Sequence, residues 1–316
     1  MSVLCIGEAL IDMICTDKGS PLSDGQHFLK KPGGAPTNVA AAIGALGGKV
    51  SLSAKVGNDP FGKHLKDVMS SFQVNSQHVI FDPFHFTTFA FVSLMLDGER
   101  DFVFNRGADA ELNLEEIQAI DLNEFSIVHF GSATAFLDGA LKESYYHLLL
   151  EAKKKSKIIS FDPNYRHLLF GDKQETFIEQ SIFFLQQADF TKLSDEEAML
   201  ITRTQNLEDA TKQLLKICQG VFAITLGKEG TLLGLNKETH LIKSIEVQPV
   251  DTTGAGDAFV GAVLYQMDEM GLEGVTNLTL QEWNKIIQNA NKAGARTCEY
   301  MGAMEAFKHL NNSIFN

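Results

Sequence analysis

The run Asp251-Thr252-Thr253-Gly254-Ala255-Gly256-Asp257-Ala258-Phe259 carries the most chemistry in the sequence. Glycines at 254 and 256 let the backbone turn tightly and expose successive N–H groups where a strongly apolar helix, expected over Ala258–Met267, begins. Unsatisfied N–H groups at such an end bind anions, and Asp257 falls in the first turn beside that anion. Three readings compete. As a plain helix start, the run is good capping chemistry. A dinucleotide fingerprint would need glycine at Phe259, and a Walker A loop would need a G-x-x-x-x-G-K-[ST] that the sequence lacks. An anion hole with an adjacent carboxylate suits phosphoryl transfer to a hydroxyl, since backbone amides hold the developing charge while the carboxylate takes the proton. A helix N-terminus favours the ionised form, so Asp257 is expected to be a weak base. A loose transition state tolerates one, because positioning matters more than base strength.

A second run, Gly33-Gly34-Ala35-Pro36-Thr37-Asn38-Val39-Ala40, leads from a flexible Gly-Gly into a helix with Asn38 near its start. Glycines allow a ligand close to the backbone, and Asn38 offers both donor and acceptor. A structural turn with a capping Asn explains the run equally well.

The elements that must position these groups alternate along the chain. Short apolar runs at Val3–Ile6, Val50–Val56, Ile127–Phe130, Ile158–Phe161 and Val221–Leu226 predict strands, and His240–Val247 predicts another before the anion loop. Helical spacing covers Thr37–Leu46, Ala140–Lys154, Asp195–Thr202 and Asp209–Cys218, with Lys153-Lys154-Lys155 placed to complement a helix C-terminus. Near-continuous apolar strands between amphipathic helices predict an α/β fold, a mostly parallel, doubly wound sheet covered on both faces. Two stretches break the rhythm. Phe86–Leu96 and Asp101–Phe104 flank the hairpin chemistry of Asp97-Gly98-Glu99, and Asp12–Lys31 is extended, with turns at Asp17–Gly19 and Ser23–Gly25. Together they predict a small β-layer at the sheet edge, the alternative being two ordinary surface hairpins.

The 316 residues hold 27 Lys+Arg against 40 Asp+Glu, a net charge of −13. Such a chain lacks the basic face that non-specific nucleic-acid binding or an anionic membrane surface requires. Hydrophobic residues at 44% and charged residues at 21% describe a folded protein of about two domains, or one large α/β unit with an elaboration. Cys5, Cys15, Cys218 and Cys298 are scattered, which favours reduced thiols in a cytosol, and the nine histidines show no metal-ligand spacing. The N-terminus carries Glu8 and Asp12 inside its apolar run and reads as a first strand, not a signal peptide. No apolar run approaches the length of a membrane span.

The two glycine-rich runs, in this order and separation, resemble the paired signatures of the ribokinase/PfkB family of carbohydrate kinases. Further landmarks are Gly7-Glu8 with Asp12, Gly57-Asn58-Asp59-Pro60-Phe61-Gly62, Asp162-Pro163-Asn164-Tyr165-Arg166 and Thr225-Leu226-Gly227-Lys228-Glu229-Gly230. The similarity spans essentially the whole chain. Within the family, Gly33-Gly34-Ala35-Pro36, Lys192-Leu193-Ser194-Asp195-Glu196-Glu197 and Asp97-Gly98-Glu99-Arg100 look most like fructokinases.

The resemblance implies a ribokinase-like core of residues 1–11, 33–85 and 107–316 with a β-lid of 12–32 and 86–106. It implies ATP-dependent phosphorylation of a small sugar, fructose first. Ribose or 2-keto-3-deoxygluconate is the enzymatic alternative, and a non-catalytic sugar sensor the alternative from another class. Asp257 would be the base, and Gly254, Ala255 and Gly256 would supply amides. Asp12, expected to end the first strand, would bind sugar with Gly33, Gly34, Asn38, Arg106 and Arg166. Lys192, Thr225, Gly227, Gly230 and Asn291 would meet the nucleotide. Magnesium would be held through water by Glu197 and Asn164, near Asp162, and a monovalent cation such as potassium by Asp251, Thr253 and backbone near Gly302. The family's N-x-x-E appears as Ser194-x-x-Glu197, which leaves Ser194 without an assigned part. Plant fructokinases carry a longer, aromatic-Tyr-Arg loop where this chain reads Phe104-Asn105-Arg106-Gly107-Ala108-Asp109, so sugar choice stays open here. The partners implied are sugar and ATP, with no nucleic acid and no membrane, and a homodimer formed through the lid. The compartment implied is the cytoplasm.

Overall fold

The computed structural model describes residues 2–96, 100–275 and 277–315. Its strands are β1 (Val3–Ile6), β2 (Leu10–Cys15), β3 (Phe28–Gly33), β4 (Val50–Gly57), β5 (Val79–Asp82), β6 (Thr88–Leu94), β7 (Arg100–Asn105), β8 (Ile127–Phe130), β9 (Ile158–Phe161), β10 (Phe190–Ser194), β11 (Val221–Thr225), β12 (Thr231–Leu235) and β13 (Glu238–Ile242). Nine of them form one sheet in the order β13-β12-β11-β10-β9-β8-β1-β4-β5. From β5 across to β11 every neighbour pairs in parallel, and β12 and β13 return antiparallel.

The apolar character of β1 follows from burial on both sides. Val3 and Cys5 enter one core, while Leu4 and Ile6 enter the other. Helices Ala35–Ala45, Pro60–Ser71, Ala255–Val275 and Leu280–Thr297 cover the first face, where Trp283 stacks on Phe190 with centroids 5.8 Å apart. Helices Ala140–Lys154, Gln174–Leu185, Asp195–Thr202 and Leu207–Ile217 cover the second, around Phe130, Tyr145 and Phe184. Parallel strands send all their carboxyl ends to one edge. The chain builds outward from β1 in both directions, so a crevice forms at the carboxyl ends beside β1, where ligands of doubly wound sheets bind.

Several expected boundaries move. The strand predicted over His240–Val247 is β13, Glu238–Ile242, because its partner begins at Thr231 opposite Ile242 and no neighbour remains beyond. The helix predicted from Ala258 begins at Ala255 and reaches Val275, interrupted at Gly271. Pro36 fits a first helical turn, so that helix starts at Ala35 and not at Thr37. Asp12 does not end the first strand. β1 stops at Ile6, and Asp12 lies inside β2.

β2 belongs to a second, four-stranded sheet ordered β3-β2-β6-β7. Its register sets Asp12 opposite Lys31 and Ala90, and Ile14 opposite Leu29 and Val92. On the other face Phe89 lies edge-on to Phe61 at 4.9 Å and stacks with Phe91, anchoring this sheet on helix Pro60–Ser71. The turn read at Asp97-Gly98-Glu99 lies outside the described residues, and β6 and β7 on either side of it pair antiparallel. No described helix is long and apolar enough to cross a membrane.

Candidate active site

The anion loop is built by its own polar contacts. Asp251 accepts hydrogen bonds from Thr253 N at 3.0 Å and Thr253 Oγ1 at 2.7 Å on one oxygen, and from Gly302 N at 2.7 Å on the other. Val250 N donates to Cys298 O at 2.7 Å, tying the loop to the end of helix Leu280–Thr297. Gly254 adopts φ 82°, and a Cβ there would lie 2.4 Å from the Ala303 Cβ, so conformation and space both demand glycine. Its carbonyl receives Ala258 N at 2.8 Å and begins the helix.

Asp257 is buried in the first turn of that helix, and Asn38 Nδ2 donates to its Oδ2 at 2.8 Å. Burial pushes the Asp257 carboxyl above its ordinary range, against the Asn38 hydrogen bond and the charges of Arg166 and Lys192. The weak base expected from a helix N-terminus is therefore corrected: burial holds the carboxyl above its ordinary range. Asn38 is thus a direct neighbour of Asp257, and its Oδ1 is buried with no hydrogen-bond partner among the described residues.

Above the loop stands Lys192. A Cβ at Gly256 would lie 3.4 Å from Lys192 Nζ and 3.6 Å from its Cε, so the lysine head lies next to the loop at this glycine. Lys192 Nζ is 3.2 Å from Asp162 Oδ2 and 4.0 Å from Glu197 Oε2. Burial alone would discharge this lysine, but Asp162, Glu197 and Asp257 together raise its pKa. Asp162 in turn is pushed up by burial and by the neighbouring carboxylates, with Lys192 opposing.

Ser194 caps the helix Asp195–Thr202. Its Oγ accepts Glu197 N at 3.1 Å, and Glu197 Oε2 accepts Ser194 N at 2.7 Å, a reciprocal capping box. Glu197 Oε1 accepts Tyr165 N at 2.8 Å. Asn164 donates to Gly131 O at 2.8 Å and receives Arg166 Nη2 at 3.4 Å. Among the described residues no three or more His, Cys, Asp or Glu side chains gather as direct metal ligands. Asp162 Oδ2 is buried without a hydrogen bond, and each Glu197 oxygen accepts one bond. That donor set fits a hydrated magnesium ion held through water and phosphate.

Asp12 closes the site from the small sheet. A Cβ at Gly33 would fall 2.2 Å from Asp12 Oδ2, so the carboxylate occupies the space the missing side chain leaves. Burial raises the Asp12 carboxyl to about 6, with the Arg166 charge opposing. Arg166 is exposed, and its charge favours the ionised forms of Asp12 and Asp257 alike. Gly34 backs onto the Glu8 carbonyl. Arg106 takes a more local position than the sequence suggests. Its guanidinium binds Asp109 Oδ2 at 3.1 Å, Thr134 O at 3.1 Å and the Asp138 carbonyl.

Those partners belong to a buried network that the motifs did not announce. Thr88 and Thr134 hydroxyls donate to Asp109, Ser132 Oγ donates to Glu8, and Glu8 also accepts Ala35 N at 3.1 Å. With the Ser132–Thr134 hydroxyl pair, the network links β6 and the residues just after β7 to the start of helix Ala35–Ala45. Gly7-Glu8 was a visible landmark, but Asp109 and Thr134 gave no local signal.

Of the residues expected to meet the nucleotide, Thr225 pairs in register with Ser194, and its Oγ1 donates to Leu193 O at 3.2 Å. Gly227 opens a short 3-10 turn, Gly227–Glu229, and Gly230 packs against the Ile242 carbonyl. Asn291 receives Thr231 Oγ1 at 2.7 Å and donates to Ile242 O at 3.1 Å, so its amide joins helix Leu280–Thr297 to β12 and β13.

The family model for pfkB family carbohydrate kinases matches residues 1–310. The chain is 34% identical over 308 residues to Fructokinase-1 of Zea mays, spanning 96% of this chain and 93% of that protein. A double mutant of fructokinase from Vibrio cholerae O395, in fructose, ADP and potassium ion bound form, is 31% identical with TM-score 0.83, covering 100% of this chain and 97% of that one. Fructokinase from Xylella fastidiosa with bound ATP gives TM-score 0.85 at 28% identity, covering 99% and 96%.

Proposed function

The chain belongs to the pfkB family of carbohydrate kinases, and from that membership we propose that it moves the terminal phosphoryl group of ATP to D-fructose, giving fructose 6-phosphate and ADP. The observation that carries this reading is the meeting of Asp257, Asn38, Lys192 and the open backbone at Gly256 beside β1.

Asp12 accepts hydrogen bonds from sugar hydroxyls, and Gly33, Gly34 and Asn38 hold the same ring. Arg166 reaches it from the rim, and Arg106 supports the lid strand above. The attacking hydroxyl passes its proton to Asp257 as oxygen bonds to phosphorus and ADP leaves. Amides at Gly254, Ala255 and Gly256 and the Lys192 ammonium receive the charge on the transferring group. Thr225, Gly227, Gly230 and Asn291 shape the nucleotide side. Glu197, Asn164 and Asp162 would hold a magnesium ion through water, and its charge would offset that of the phosphates. A positive charge at the Asp251, Thr253 and Gly302 loop strengthens the anion hole next to it. The small sheet, within residues 12–32 and 86–106, acts as a lid that excludes water. ADP release across fructose, ribose, glucose, 2-keto-3-deoxygluconate and adenosine at saturating Mg-ATP tests the reading. Fructose is expected to give the highest kcat/KM, and no turnover with any of the five would remove it.

Asp12 accepts from hydroxyls on both oxygens, with a full charge, only when ionised, and its carboxyl is raised to about 6. As pH falls through 6 the acceptor is lost, so kcat/KM for fructose is expected to drop roughly tenfold per pH unit below that point and to be level above 7. A profile still level at pH 5 would contradict the role.

The lid face bearing Asp12 also exposes Ile14 at 39%, Leu29 at 45% and Leu94 at 60%. A second copy of the chain covers this apolar strip in a homodimer. Sedimentation at micromolar concentration is expected to give twice the chain mass, and a monomer there would refute the pairing. Reduced thiols and the acidic surface fit a cytoplasmic enzyme.

A further inference from the structure

The structure places a lid residue on the cation loop. Lys31 lies in β3 directly opposite Asp12, yet its side chain runs toward Gly302. An atom at the Cβ position of Gly302 would be 3.5 Å from Lys31 Nζ, 3.7 Å from Cε and 3.9 Å from Cδ, so the whole stem lies along this glycine. Gly302 N is the donor that holds Asp251 Oδ2 at 2.7 Å. Among the described residues the Lys31 ammonium makes no hydrogen bond and no ion pair, while its charge reaches both Asp251 and Glu305.

We propose that Lys31 is a tethered monovalent cation: its ammonium occupies the positive position beside the Asp251–Gly302 loop and reduces the enzyme's need for a free potassium ion. An alkylammonium head carries the same single charge as potassium and is of comparable size, but it arrives on the lid strand that also carries the sugar's neighbour. A free cation entering this loop must approach an existing positive charge, which weakens its binding. The loop positions Gly254 and the helix N-terminus behind it, so the ammonium acts on the anion hole through Asp251, as a positioning residue. The inference rests on the kinase reading for its effect on turnover, but not for its effect on cation binding.

The test compares wild type with Lys31→Met, which keeps stem length and removes the charge. Fructose phosphorylation is measured while potassium chloride replaces tetramethylammonium chloride at constant ionic strength, and thermal melting is recorded in the same series. Wild type is expected to change less than about twofold in kcat/KM and to melt at the same temperature throughout. Lys31→Met is expected to lose about tenfold without potassium, to regain most of it on addition, and to melt higher in potassium because binding to the folded state stabilises it. Potassium activation of wild type as strong as that of the variant, with matching melting shifts, would overturn the proposal. So would a variant whose activity and melting ignore potassium. If neither protein phosphorylates any sugar, the kinase reading fails, and the melting comparison still decides the role of Lys31. If Lys31→Met does not fold, Lys31→Gln carries the same comparison, and strong potassium activation of wild type alone rejects the idea.

Discussion

Asp257→Asn is expected to lose about 10²–10⁴-fold in kcat, the usual contribution of a positioned base, while the affinity for fructose stays within about threefold of wild type. The amide keeps the size of the carboxylate and can still pair with Asn38, so the sugar's surroundings are preserved. The same change is expected to raise the melting temperature near neutral pH. Asp257 has a folded-state pKa above its ordinary value because burial penalises the charge. An acid shifted upward destabilises the folded state wherever it is ionised there, and that penalty is relieved as pH falls through the folded pKa. The gain from Asn therefore is largest at pH 7–8 and shrinks on acidification. Calorimetry across pH checks the sign, and near-wild-type turnover would remove Asp257 from the role of base.

Lys192→Met is expected to damage stability and turnover together. The ammonium is buried against Asp162 and near Glu197 and Asp257. Deleting it leaves buried carboxylates uncompensated, which costs about 3–5 kcal/mol where one partner of a buried pair is lost. Turnover is expected to fall about 10²–10³-fold, as when a donor to a developing anion is removed. Lys192→Met with Asp162→Asn separates the effects: unfolding midpoints should recover much of the loss, whereas kcat should not. Recovery of kcat in the double variant would mean that Lys192 serves only to neutralise Asp162.

The reach of the sequence differed between the core and the site. Runs such as Val3–Ile6 and Ile158–Phe161 are apolar on both faces, and that pattern has few solutions besides a covered parallel sheet. The Asp251–Phe259 loop was legible because glycine chemistry there is local. What escaped depended on register and depth. Twelve residues separate β2 from β3, so nothing local sets Lys31 opposite Asp12 or sends it to Gly302. Asp109 and Thr134 meet only when the chain has folded. The basicity of Asp257 was misjudged for the same reason. A helix start can be read from neighbours in sequence, but desolvation is set by packing from Asn38 and other distant segments.

The hydrogen bond between Asn38 and Asp257 spans 219 positions of the chain. During synthesis the glycine-rich sugar loop, β1 and the lid strands leave the ribosome long before the anion loop and its base. At about 5–20 residues per second, that interval lasts on the order of ten seconds or more. A growing chain therefore passes through a stage that has the makings of a sugar cradle but no means of attacking ATP. Phosphoryl transfer becomes available only when the last third has docked against the first. On the proposed roles a nascent fragment is silent, and any truncation before Asp257 lacks the residue assigned as base.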